Sequence, residues 1–173
     1  MEVLLEILKY TLPSAIVLAG VYFVLKNILE SEQRKMDLKY RSDNMRLITP
    51  IKLQAYERVI LYLERITLSN LVMRTYQTGM SSTKLQSTML QIIRSEYDHN
   101  MAQQLYIPSK TWRLVKASRE ETVKIINSCA DKLEKDSSGL QLSQFIFELI
   151  GKVEITPTEI AIEALKAEVN KVF

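Results

Sequence analysis

Residues 10 to 25, YTLPSAIVLAGVYFVL, carry no charge, and Lys9 and Lys26 close the two ends. No other stretch restricts the fold as much, because so apolar a helix must be covered by something other than water. Its sixteen residues rise about 24 Å as an α-helix. A bilayer core takes about 20 residues, and the flanks make up the difference. Val3, Leu4, Ile7 and Leu8 continue the apolar character upstream, and Ile28 and Leu29 extend it downstream. Lys9 and Lys26 can reach back toward the two headgroup layers. The reading is a membrane anchor in residues 1–29, spanning from about Ile7 to Leu29. Two rivals are a helix buried in a soluble core and a signal peptide. The start is acidic rather than basic and no small-x-small cleavage site follows, which counts against a signal peptide. Glu2, Glu6 and Lys9 share one face of the first turns, opposite the apolar residues, and Pro13 is expected to bend the helix.

Orientation follows from the basic residues. Only Lys9 lies upstream, whereas Lys26, Arg34, Lys35, Lys39, Arg41 and Arg46 crowd downstream. The positive-inside rule then puts the N-terminus in the periplasm and the C-terminal domain in the cytoplasm of a bacterial inner membrane.

The rest of the chain predicts an all-α fold: a transmembrane helix followed by a compact helical bundle. Four Gly and four Pro in 173 residues leave few turns, and the abundant Leu, Lys, Glu, Gln, Arg, Ala and Met favour helix. Residues 30–46 read as a charged helical stalk. Leu25, Leu29, Met36, Tyr40 and Leu47 lie near a heptad stripe, but Glu32 and Asp43 occupy the intervening core positions. That broken seam favours a solvated stalk, or a helix lying over the C-terminal domain, above a coiled coil.

Residues 47–173 read as one all-helical domain. Thr49 and Pro50 look like an N-cap and N1 pair opening a helix with Tyr56, Val59, Ile60, Leu63 and Ile66 inward. A short helix over 68–80 ends near Gly79. A long one starts at Ser81 or Ser82 and runs to Pro108, with Leu90, Ile93, Tyr97, Met101 and Leu105 on its inner face. Another covers Ser109 to Leu133, with Trp112, Val115, Thr122, Ile126, Cys129 and Leu133 on one side. Leu142, Phe145, Ile146 and Leu149 line a helix closed by Gly151. Thr156 and Glu159 form a capping box before Ile162, Leu165, Val169 and Val172.

Chemistry is harder to find. One cysteine, Cys129, rules out an internal disulfide and a Cys-based zinc cluster. His99 is the single histidine. Glu96, His99 and Gln103 share a helix side, too few strong ligands for a metal, and a partly buried histidine held by a carboxylate or carbonyl is the simpler reading. Glu57 and Glu64, like Arg58 and Arg65, are seven apart, which suits ion pairs. There is no P-loop, GxGxxG, zinc spacing or triad-like pattern, so neither catalytic, cofactor-binding nor metal-ligating residues are assigned. Tyr56, Arg58, Tyr62 and Arg65 are candidates for partner contact, the alternative being that they only pack and pair within the domain. Arg34, Lys35, Lys39, Arg41, Lys110, Arg113 and Lys116 are candidates for headgroup contact.

The stretches LITPIKLQAYERVILYLERI, IRSEYDHNMAQQLYI with a tryptophan five residues on, and ALKAEVNKVF resemble a family of uncharacterised single-span proteins from Bacteroidota. The resemblance covers nearly the whole chain. It implies an inner-membrane anchor with a helical cytoplasmic domain and supplies no functional residues. The expected role is a membrane-tethered interaction or scaffold domain, a non-enzymatic accessory subunit of an inner-membrane assembly. Its partners would be the bilayer and either another protein or a second copy. Neither nucleic acid, at a net charge of +3, nor a small-molecule substrate nor a cofactor is expected. The alternatives are an anchored enzyme with a cleft built on Glu57, Glu64 or His99, and a lipid or nucleic-acid binder using the juxtamembrane basic residues.

Overall fold

The computed structural model describes residues 1–134 and 136–172, with the side chains of Met1, Lys9, residues 16–134 and residues 136–171. The described residues are all-α. The elements are α1 (Glu2–Ile66), α2 (Leu68–Thr75), α3 (Ser82–Asn100), a 3-10 turn (Met101–Leu105), α4 (Ser109–Asp131), α5 (Gly139–Ile150) and α6 (Pro157–Val172). Two compact units meet in sequence between Thr49 and Pro50.

Unit 1, Met1–Thr49, is helical from Glu2 onward. Among the described residues no helix is long and apolar enough to cross a membrane. This corrects the expected span from Ile7 to Leu29, and with it the inner-membrane placement and the N-terminus-out orientation. Among the described side chains the uncharged run covers only Ile16 to Leu25, ten residues, about half of what a bilayer core takes, and Lys26, Glu30 and Glu32 follow it. The side chains of residues 10–15, and the expected bend at Pro13, lie outside the described residues.

The predicted helix start at Thr49 and Pro50 is also corrected, since α1 passes through both without a break. A proline inside a helix removes one backbone donor, yet α1 continues past it to Ile66.

Unit 2 holds a single core. Val59, Tyr62, Leu63 and Ile66 from α1 join Leu71 from α2 and Leu85, Met89 and Ile93 from α3. Val115, Ile126 and Cys129 from α4, Leu142 and Ile146 from α5, and Leu165 from α6 complete it. Helix α4 packs most extensively on α6, and α3 lies against both α4 and α5. The α4 face toward the core is Trp112, Val115, Thr122, Ile126 and Cys129, as the spacing predicted. The inner face of α3 is Leu85, Met89 and Ile93, with Tyr97 half-buried. Met101 and Leu105, expected to continue it, are exposed. The tighter 3-10 turn rotates them off the stripe, because it has three residues per turn instead of 3.6. Val172 lies outside the described side chains.

Helix starts are set by side chains. Ser81 accepts from the Lys84 N–H at 3.3 Å. Ser138 and Gln141 form a reciprocal capping box. In the box opening α6, the Thr156 N–H donates to Glu159 Oε2 at 2.7 Å, and the Glu159 N–H donates to Thr156 Oγ1 at 3.4 Å. The starts of α3 and α5 are tied by an isolated antiparallel bridge between Ser81 and Ser138. There the Ser82 N–H donates to the Ser137 carbonyl at 2.9 Å and the Gly139 N–H to the Met80 carbonyl at 2.7 Å. A Cβ at position 139 would stand 2.8 Å from the Met80 carbonyl oxygen. Glycine is therefore required for close approach.

Candidate functional site

The residues expected to meet a partner fall into two groups. Arg58 is exposed. Arg65 is exposed and donates to both carboxylate oxygens of Glu96, at 3.1 and 3.2 Å. Tyr56 and Tyr62, by contrast, are 6% and 1% exposed and belong to the core. That corrects their assignment as contact residues: they share the inward stripe of α1 with Val59, Leu63 and Ile66, so burying them against the domain leaves no surface for a partner.

Lys110, Arg113 and Lys116 are exposed on α4 while Trp112 beside them is buried. Arg34, Lys35, Lys39 and Arg41 are exposed on unit 1. His99 is exposed rather than partly buried. The Glu96 carboxylate beside it is occupied by Arg65, with Arg74 at 3.9 Å. Cys129 is buried, and burial pushes its thiol up, partly offset by Lys132. Among the described residues no group of three or more His, Cys, Asp and Glu side chains is placed to hold a metal ion.

Pairwise spacing did not foretell a cluster that α1, α3 and α4 assemble. The Tyr62 and Tyr97 ring centroids are 6.1 Å apart, and those of Tyr97 and Trp112 6.2 Å apart. The Arg119 guanidinium lies 4.1 Å above the Tyr97 ring, a cation–π geometry that holds the arginine in one place. The Tyr62 hydroxyl and the Trp112 indole N–H are buried without a hydrogen-bond partner. Burial drives the Tyr62 phenol far above its ordinary range; Arg119 opposes this and Tyr97 and Glu96 add to it. Beside the cluster opens a groove of about 430 Å³ lined by Leu90, Ile93, Arg94, Arg119, Glu120, Val123 and Asn127. Two arginines and an amide above an apolar floor can hold a ligand. The lining contains no nucleophile paired with a base.

A different kind of exposure marks unit 1. Ile16, Val17, Leu18, Val21, Tyr22, Phe23, Val24, Leu25, Ile28 and Leu29 are all more than half exposed. Consecutive positions face every direction around the helix, so no single side of it is polar.

No curated protein and no solved structure matches the chain. Residues 2–172 match a family of unknown function, DUF7935. With nearly the full length aligned, the chain belongs to that family.

Proposed function

We propose that the chain is a non-enzymatic helical interaction subunit, working by contact through its N-terminal helix. One observation carries the reading: the exposed apolar residues from Ile16 to Leu29 in unit 1. Contiguous apolar surface of this kind is costly in water and marks a surface that another molecule covers. Unit 2 is suited to be the folded cargo of that contact, since its own apolar stripes close on one core. An origin in Bacteroidota and membership of a larger bacterial assembly belong to the same proposal, on the resemblance of the three quoted segments.

An enzyme built on Glu57, Glu64 or His99 finds less support, because all three side chains are exposed and none is desolvated as catalytic acids and bases commonly are. Photo-crosslinking in the native cell tests the proposal. A benzophenone amino acid at Val21 or Phe23 should yield discrete protein adducts that the same group at Lys116 does not. Adducts with lipid alone, or none with protein, would overturn it.

A further inference from the structure

We infer that the chain pairs in parallel with a second copy of itself, through a stripe on the unit 1 helix that repeats every eleven residues. This rests on the interaction reading and narrows the partner to another copy.

Leu18, Leu25, Leu29, Met36, Tyr40 and Leu47 follow one another at spacings of seven, four, seven, four and seven. They form two interleaved series, each with a step of eleven. All six are exposed, from 53% to 74%. Eleven residues over three turns is about 3.67 per turn, close to the 3.6 of a straight helix. Two helices carrying this repeat stay in register with only a slight right-handed supercoil. The stripe also continues through the charged segment from Glu30 to Arg46, where an apolar solvent would have no use for it. A regular period over such a length is what a helix of the same period requires, and a second copy has it by identity.

The polar neighbours of the stripe fit the same frame. Under a heptad, Glu32 and Asp43 interrupt the seam. Under the eleven-residue repeat they fall together on one edge, eleven apart, and Gln33 and Asn44 fall together on the opposite edge. In a parallel pair, opposite edges of the two helices meet at nearly the same height. The Glu32 and Asp43 carboxylates of one copy then accept from the Gln33 and Asn44 amides of the other. Antiparallel pairing would instead bring the carboxylate edge of each copy against the carboxylate edge of the other. Five basic and four acidic residues lie between Glu30 and Arg46, so copies meet without strong net repulsion. Lys35 already pairs with Glu32 at 2.9 Å, which lowers the charge at that edge.

The back of the same helix supplies the control. Leu38 and Met45 are 67% and 68% exposed and lie on the side opposite the stripe. Sedimentation of the full chain in a non-ionic detergent should show a dimer. The double variant Met36→Glu/Leu47→Glu should weaken it at least about tenfold, that is by about 1.4 kcal/mol, while Leu38→Glu/Met45→Glu leaves it unchanged. Under mild oxidation Tyr40→Cys should form a disulfide to its own copy and Leu38→Cys should not. A monomeric wild type, equal loss in both double variants, or equal crosslinking at both cysteines would each overturn the pairing. A monomer that still gives adducts to a different protein at Val21 or Phe23 would sink this inference and leave the interaction reading standing. No protein adduct at all would remove both.

Discussion

Among the described residues the Tyr62 hydroxyl, the Trp112 indole N–H and the Ser118 hydroxyl are buried without a hydrogen-bond partner, and the first two make tests. The hydroxyl of Tyr62 is fully buried and unpaired, so its desolvation is uncompensated. Tyr62→Phe keeps the ring against Tyr97 and removes only that oxygen. It should stabilise unit 2 or leave it unchanged, by up to about 1 kcal/mol in chemical denaturation; a loss of that size would mean the hydroxyl has a partner. Trp112→Ala removes a buried ring next to Tyr97 and should cost about 3–5 kcal/mol, read as a fall in the denaturation midpoint. Gly139→Ala forces a methyl toward the Met80 carbonyl at 2.8 Å and should cost about 1–3 kcal/mol. Of these positions, the sequence pattern placed Trp112 inward correctly. It put Tyr62 on the surface because aromatic and arginine residues together resemble an interface, and spacing does not tell which neighbour a stripe faces. Gly139 carried no readable signal, since the close approach comes from a segment far away in the chain.

At the scale of elements, periodicity and caps were the legible part. The Ser81 and Thr156 starts and the α4 face stand where the side-chain chemistry put them. What could not be read was how a break-prone residue behaves in context, as at Pro50. If Pro50 opened a helix at N1, Pro50→Ala would change little. Because it sits inside α1, the substitution should raise stability and helicity, by up to about 3 kcal/mol on the scale of an interior proline. Circular dichroism and thermal unfolding of the full chain decide between these outcomes. The box opening α6 gives a pH signature. The Thr156 backbone N–H and then its hydroxyl hold the Glu159 carboxyl below its usual range. A depressed carboxylate stabilises the fold above its unfolded pKa, and the contribution disappears as pH falls through the folded value. Acid should therefore loosen the start of α6 first, and Glu159→Gln should flatten that acid limb of the stability profile. An acid limb unchanged by Glu159→Gln would show that the capping carboxylate contributes nothing.

For the whole molecule, the two units differ in how they are stabilised. Unit 2 closes its own core, so Cys129 should react with a thiol reagent only as fast as the domain opens globally; rapid labelling under native conditions would contradict that core. Unit 1 leaves its apolar residues exposed. The small bridge between Ser81 and Ser138 reaches further than its two hydrogen bonds suggest. It closes a long loop of chain, α3 and α4 included, into a ring held at one point. Closing a loop of that length costs conformational entropy, which the packing around the bridge offsets. Once made, it removes a route by which α5 could leave the domain alone. The amide protons of Ser82 and Gly139 should accordingly exchange with solvent no sooner than those of the central turns of α3, a kinetic lock set by a single glycine.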